Sequence, residues 1–499
     1  MIVLSDVRSG FHRIKQQFVL SFMPWRGHYP MNVGYRSGFS FLGFLMVCSS
    51  ILLLQSPPVE AQAWSATQKD GVYNIRDFGA VGDGQADDTL AIQKAIDAAA
   101  PSGGIVLVPV GRWLCRGHLE LKIGVHLSGL NTSPVSWEPA TGSILMPTEG
   151  RGNEEGPAFI EMRSSTSVSG LTIYYPEQRV EEIQPYPWTI QIRANPANRT
   201  EVSFDSTVAD VTLINSFNGI RTGPTENGRH RIIRVNGCVL RRGILVDWTG
   251  DIGRIEDVQF HSHFWASPAF HGSWDKVFAY MQQHLEAFIF GRSDWEYVSN
   301  TFVFPASVGY RFIETLNGAC NGQFSGIGAD ATGTAVLVEH IQPQGLLITN
   351  GEFDSHRVGR STQVIIEATA RGNIRLVNCG FWGPVEHNVL DHGMGFTSLT
   401  DCYFSNDSET TLYSVEVESG KIQIQNCTFG GVEDQRSPGH PSTGSPRQHQ
   451  PPSIHLGPKV VSAIVRGNNG FHGVDVKNEI GARAILEGNE PFDPKGSSL

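Results

Sequence analysis

The sequence predicts an all-β protein built as a parallel β-helix, a solenoid of short strands wound into stacked coils, and three observations carry that expectation. The first is a recurring phrase of Asn or Asp, two variable residues and a large apolar residue. It reads DVTL at Asp210, NGCV at Asn236, DVQF at Asp257, NGQF at Asn321, NGEF at Asn350, NCGF at Asn378, DCYF at Asp401, NCTF at Asn426 and NNGF at Asn468. Most neighbouring copies lie 21 to 29 residues apart, as 350 to 378 and 401 to 426 do, which is the length of one coil. The second is a strand-like apolar phrase upstream of most copies: GILVD (243–247), AFIFG (287–291), YRFIE (310–314), AVLVE (335–339), VIIE (364–367) and SVEVE (414–418). The third is composition: 55 glycines with only 17% charged residues suit a chain of short strands and turns.

Read in order, the chain opens on a targeting pattern. From Met31 it has a basic start at Arg36, an apolar core from Phe39 to Leu54, helix-breaking Pro57 and Pro58, and an A-x-A site at Ala61–Ala63. Residues 1–63 are therefore expected to be a signal-peptide region starting at Met31 and cleaved after Ala63. The mature protein is then secreted, to the periplasm or the medium, with no membrane association after cleavage. Residues 72–490 are expected to form a single β-helix domain. At its start, NIRDFGAVGDGQADDTLAIQKAIDAAA (74–100) has glycines before a helical pattern, but not at phosphate-loop or EF-hand spacing. Asp87 and Asp88 stand where side chains cap a helix. Leu90, Ile92, Ala95, Ile96 and Ala99 would then cover the open end of the first coil, which otherwise exposes core and strand edges.

Further along, YYPEQRVEEIQPYPW (174–188) reads as a rigid loop able to wall a cleft with Tyr174, Tyr186 and Trp188, or simply to seal the coil edge. SWDKVFAYMQQHL (273–285) sets Trp274, Val277, Phe278, Met281 and Leu285 at helical spacing behind Ser273, predicting an inserted helix on the coils. The repeated Asn or Asp is expected to bond its side chain to the backbone of neighbouring coils. Cys379, Cys402 and Cys427 hold one place in successive copies and should stack as small buried residues, a disulfide being the alternative. Residues 431–453, rich in Pro, Ser, Gly and Gln, are expected to be a mobile loop.

The opening stretch DFGAVGDGQADDTLAIQKAIDAA and the following GGIVLVPVGRW (103–113) resemble the start of the pectate-lyase-like superfamily domain, the group that includes rhamnogalacturonase and epimerase-like proteins. The resemblance covers residues 74 to about 130 closely and implies a right-handed parallel β-helix; it spans hydrolases, lyases, epimerases and depolymerases. The polygalacturonase motifs do not carry over: the chain has no G-H-G, its one R-I-K (13–15) stands ahead of Met31 and follows no G-H-G, and its only adjacent aspartates are Asp87 and Asp88 in the cap.

A net charge of −11 argues against a general nucleic-acid binder and leaves a polysaccharide as the expected partner, the protein itself being a monomer. Four of the ten tryptophans fall between positions 248 and 295, beside acids, an arginine and histidines. Aromatic faces with convergent polar groups suit sugar rings, so Trp188, Trp248, Trp265, Trp295, Arg292, His261 and His263 are the expected substrate-binding residues. The leading expectation is a glycoside hydrolase drawing two catalytic carboxylates from Asp247, Asp251, Glu286, Asp294 and Glu296. Strand-end acids Asp247, Glu314, Glu339 and Glu367 form a weaker column. The alternative is a polyuronate lyase or epimerase, which needs a base and a cation beside the substrate carboxylate, with Arg242, Arg292 and His284 as candidates. A non-catalytic glycan-binding or structural β-helix is the third reading. His261 and His263 lack an identifiable third ligand, so no metal or other cofactor is expected, except calcium if the protein is a lyase.

Overall fold

The computed structural model describes residues 70–131, 141–198, 201–355, 361–405, 412–430, 452–470 and 472–493. The expected signal region and nearly all of the expected loop at 431–453 lie outside them. Strand after strand pairs in parallel with its equivalent one coil later, so the chain winds as a β-helix with three sheets. The first sheet holds an inward column that runs in register through Val106, Leu127, Val168, Val208, Ile232, Ile255, Val298, Phe324, Ile348, Leu376, Leu399, Ile424 and Val465. The third sheet does the same through Leu119, Ile160, Ile190, Ile220, Ile244, Phe288, Tyr310, Val336, Val364, Val389, Val415 and Ile454. Apolar, often β-branched side chains repeating at one register build one continuous core. On the second sheet Phe381, Phe404 and Phe429 stack with ring centroids 4.8 and 4.9 Å apart, matching the spacing of adjacent strands.

The bend from first to second sheet explains the Asn and Asp repeat. Asp210, Asp257, Asn300, Asn350, Asn378, Asp401 and Asn426 all have φ between 53° and 55°, a left-handed conformation that Asn and Asp tolerate better than other non-glycine residues. Their role is backbone geometry more than the expected side-chain ladder, although Asn378 Nδ2 does donate to Asn350 Oδ1 at 2.8 Å. Asn236, Asn321 and Asn468 do not belong to the bend: Arg234, Gly326 and Gly467 hold the left-handed position in those coils. Asn468 instead bonds the adjacent coil, donating to Ile424 O and accepting from Cys427 N.

The helix α1 (Thr89–Ala99) closes the amino end with Ile92, Ala95, Ile96 and Ala99 buried, whereas Leu90 is 72% exposed and covers nothing. Asp87 Oδ1 accepts from Thr89 N, as a cap does. Asp88 does not cap the helix; its carboxylate accepts from Val81 N and Gly82 N and so closes the preceding turn. Gly82 is required there, because a Cβ would meet the buried Trp113 ring at 2.6 Å. The inserted helix α2 (Trp274–His284) lies on the coils with Val277 and Met281 buried, followed by buried Leu285. Cys379, Cys402 and Cys427 are free and buried, as are Cys115, Cys238 and Cys320. Among the described residues no helix is long and apolar enough to cross a membrane.

Candidate active site

Each of the expected acids is held by other groups. Asp247 is buried at the end of a third-sheet strand, where Oδ1 accepts from Trp248 N, Arg292 N and Thr315 Oγ1, and Oδ2 from Asn317 Nδ2. It is a clasp for the turns that lead back to the first sheet. Asp251 accepts from Arg229, whose other arm grips Asp205. Glu286 sits between Arg311 at 3.0 Å and Arg241 at 3.5 Å. Asp294 takes both arms of Arg292 and also accepts from Gln342 Nε2 at 2.8 Å. Glu296 is wholly buried, accepting from Ser293 Oγ at 2.6 Å and lying 3.1 Å from His230 Nε2. Alternation along its strand turns Glu296 inward, so it faces no groove.

The expected binding residues also separate. Trp265 is fully buried, with Nε1 donating to Phe270 O, and so is a core residue of the insertion. Trp188 is 4% exposed beneath the Arg242 guanidinium, which lies 5.0 Å above its ring. Tyr186 and Tyr174 are buried too, so the 174–188 loop seals more than it displays. The His261 and His263 rings touch with centroids 4.1 Å apart and planes tilted by 50°, and His261 also lies against Trp274 and Phe304. Burial pushes the His261 imidazole down to about 4, with His263 adding to the shift. Among the described residues no three His, Cys, Asp or Glu side chains gather as a metal site. Trp248 and Trp295 remain open, at 39% and 60% exposure. The weaker column also dissolves, since Glu339 pairs with Arg311 and Glu314 lies 3.6 Å from His340.

A basic cluster on the third sheet takes the place of the expected acids. Gln191 and Arg221 are in register on adjacent coils, Arg193 follows Gln191 by two residues, and Asn218 and Arg242 are in register on successive coils. Arg242 Nε donates to Asn218 Oδ1 at 3.0 Å, and its terminal nitrogen pairs with Glu154. Arg193 Nη2 pairs with Glu161 Oε1 at 2.5 Å, a carboxylate that Arg163 also holds. Arg221, between them, has no ion pair or side-chain hydrogen bond among the described residues, and its Nε is buried without a partner. Burial pushes its guanidinium below the ordinary value; Asp247 and Glu155 oppose that shift, while Arg242 and Arg193 reinforce it.

The long connections from second to third sheet flank this cluster. Residues 148–159 carry Glu154, and residues 174–187 carry Glu181, which pairs with Lys276 of α2 at 3.1 Å. Tyr280 of α2 is half-buried and its phenol is pushed upward, first by burial; Glu154 adds to the rise and Arg241 opposes it. The exposed His284 ring lies 4.3 Å from Tyr280. The sheet therefore presents a guanidinium without a side-chain partner on a polar floor, while Tyr280 and His284 of α2 stand toward Glu154 and Arg241 at the edge of the same cluster. The sequence reading singles out Arg242 and His284 but not Arg193, Arg221 or Tyr280. Aligning TIQIRAN (189–195) with NGIRTG (218–223) on their strand isoleucines would have set Gln191 and Arg221 side by side.

This arrangement sits on a parallel β-helix whose first coils are similar to a known family. Residues 72–146 match the family model described as rhamnogalacturonase A/epimerase, pectate lyase-like. The chain carries a pectate-lyase-like domain, as the resemblance of its opening stretch implies. Among curated proteins it is 49% identical over 65 residues to mannuronan C5-epimerase AlgE4 of Azotobacter vinelandii, covering 11% of this chain and 12% of that protein. It is 53% identical over 53 residues to alginate lyase 7 of the same organism, covering 10% of this chain and 6% of that protein. The chain thus spans only a small part of these relatives. Among solved structures, the tailspike of Escherichia coli bacteriophage HK620 in complex with a hexasaccharide aligns at a TM-score of 0.49 and 11% identity, over 84% of this chain and 78% of that one.

Proposed function

We propose that the protein is a polysaccharide-modifying enzyme of the polyuronate lyase or epimerase class, acting on the third sheet around Arg221. The observation that carries this reading is the unpaired, half-buried Arg221 guanidinium between Arg193 and Arg242. A buried polar group without a partner in the free protein is suited to receive one from a ligand, and a guanidinium fits a carboxylate through two parallel hydrogen bonds. Neutralising a uronate carboxylate makes the adjacent carbon acid more acidic. His284 then takes that proton, and the electron pair moves into the carboxylate held by Arg221. In elimination the pair returns to form the ring double bond as the glycosidic oxygen leaves with a proton from Tyr280. In epimerisation the carbon is reprotonated from the opposite face. Burial keeps the Tyr280 phenol protonated at neutral pH, which suits a donor better than a base. Tyr280 and His284 lie on one helix, and a donor and base on one side suit elimination.

The names of the relatives, an alginate lyase and mannuronan C5-epimerases, support the same class of substrate. The glycoside hydrolase reading has less support, because its carboxylates are engaged elsewhere. Incubating the protein with alginate and with polygalacturonate tests the assignment. An unsaturated uronate product, seen by ultraviolet absorbance, or an inverted C5 centre, seen by proton NMR, is expected. New reducing ends with neither change would reject it in favour of hydrolysis.

A further inference from the structure

We infer that the outer face of the first sheet is a second glycan-binding surface, a cationic strip with an aromatic centre that holds an anionic polysaccharide without reacting with it. One outward column of this sheet runs in register through Arg231, Arg254, Tyr297, Gln323, Leu347 and Arg375. Alternation places these side chains outside, since their neighbours Ile255, Val298, Phe324, Ile348 and Leu376 are buried in the core. Arg231, Arg254 and Arg375 form no ion pair among the described residues; Arg254 lies 5.9 Å from the Tyr297 ring centroid and Arg375 is exposed. Arginines 163, 193, 229, 234, 242, 292 and 311 have acidic partners; others without one, such as Arg76, Arg112 and Arg221, lie elsewhere, and among the described residues this column alone gathers three along one register.

Between the guanidiniums the surface is concave. A cleft of about 170 Å³ is lined by Trp295, Tyr297, Gln323, Gln344, Leu347 and Arg375, among others. Trp295 is 60% exposed because its left-handed backbone, φ 57°, turns the side chain out at the start of the strand. That conformation is fixed by Asn321 Oδ1, which accepts from Trp295 N at 3.1 Å, while Asn321 Nδ2 donates to Gln342. An exposed indole next to a half-exposed phenol, with free amides beside them, offers faces for sugar rings and hydrogen bonds for hydroxyls. The guanidiniums above and below select a chain that carries carboxylates or sulfates. At a coil rise of ~4.8 Å, Arg254 and Arg375 stand roughly 19 Å apart, so the ligand is an extended chain along the helix axis and not a single sugar. This surface shares its ligand class with the third-sheet site but does not depend on the reaction there.

Affinity electrophoresis through gels containing polygalacturonate or the neutral glucan pullulan tests the inference. In an Arg221→Ala background, where the third-sheet site is disabled, polygalacturonate should still retard the protein and pullulan should retard it far less. Adding Trp295→Ala and Arg375→Ala should weaken that retardation at least tenfold, with circular dichroism unchanged. The inference is overturned if Arg221→Ala alone abolishes retardation, if the added substitutions leave it intact, or if pullulan retards equally. Turnover of short oligouronates is read in parallel: strip variants with Arg221 intact should keep it. Strip binding without any turnover would count against the reaction and not against the strip.

Discussion

Replacing Glu296 by Ala separates a structural carboxylate from a catalytic one. The side chain is fully buried between Ser293 Oγ at 2.6 Å and His230 Nε2 at 3.1 Å, and a Cβ on Gly253 would lie 2.3 Å from its carboxylate, so the pocket has no spare room. His230 Nδ1 already lacks a partner, so removing Glu296 strands the whole imidazole in the core together with a hydroxyl. Deleting one member of a buried pair costs about 3–5 kcal/mol, mostly because the remaining group stays desolvated and unpaired. Glu296→Gln retains the volume and an acceptor and should cost less. Urea unfolding followed by tryptophan fluorescence reads the difference as a shift in midpoint at unchanged slope. The reasoning is refuted if Glu296→Ala unfolds within about 0.5 kcal/mol of the wild type while turnover disappears, which would return Glu296 to the chemistry.

Two further outcomes follow from the core. Phe404→Ala should cost about 3–5 kcal/mol by opening a void in a ring stack that continues on both sides, measurable by calorimetry. Asp391 occupies an inward register position between Ile366 and Val417, two residues after Val389, and burial raises its carboxyl to about 6. The folded state therefore holds this proton more tightly than the unfolded chain does, and stability falls as pH rises from about 4 to about 6. Asp391→Asn keeps an acceptor for Gly393 N and should remove that slope, gaining on the order of 2–3 kcal/mol at neutral pH; unfolding at pH 4 and pH 7 checks both signs.

The fold is legible in the sequence because a solenoid repeats its physics. A left-handed bend every coil admits Asn, Asp or Gly, and inward strand positions admit apolar residues, so both recur at coil length. The reading slips at Asn321, where a lookalike phrase stands a few residues before the glycine that makes the bend. It also expects the tryptophan and acid cluster at 246–298 to share one groove. Winding disperses that cluster instead: Glu296 turns inward, Trp265 enters the insertion core, and Trp295 emerges on the first sheet. Arg193 and Arg221 escape notice for the converse reason, since a coil length separates residues that end as neighbours. That Asp251 and Glu286 are already occupied by arginines is likewise decided across coils, where linear spacing carries no signal.

The account's central claim is that Arg221 receives a uronate carboxylate. Turnover of alginate and polygalacturonate by wild type and Arg221→Ala, at matched circular dichroism, tests it most directly. Losing one preorganised donor of this kind costs roughly 10²–10³ in rate, so kcat/KM should fall by about that factor, with Arg221→Lys only partly restoring it. Equal turnover by wild type and Arg221→Ala would contradict the claim.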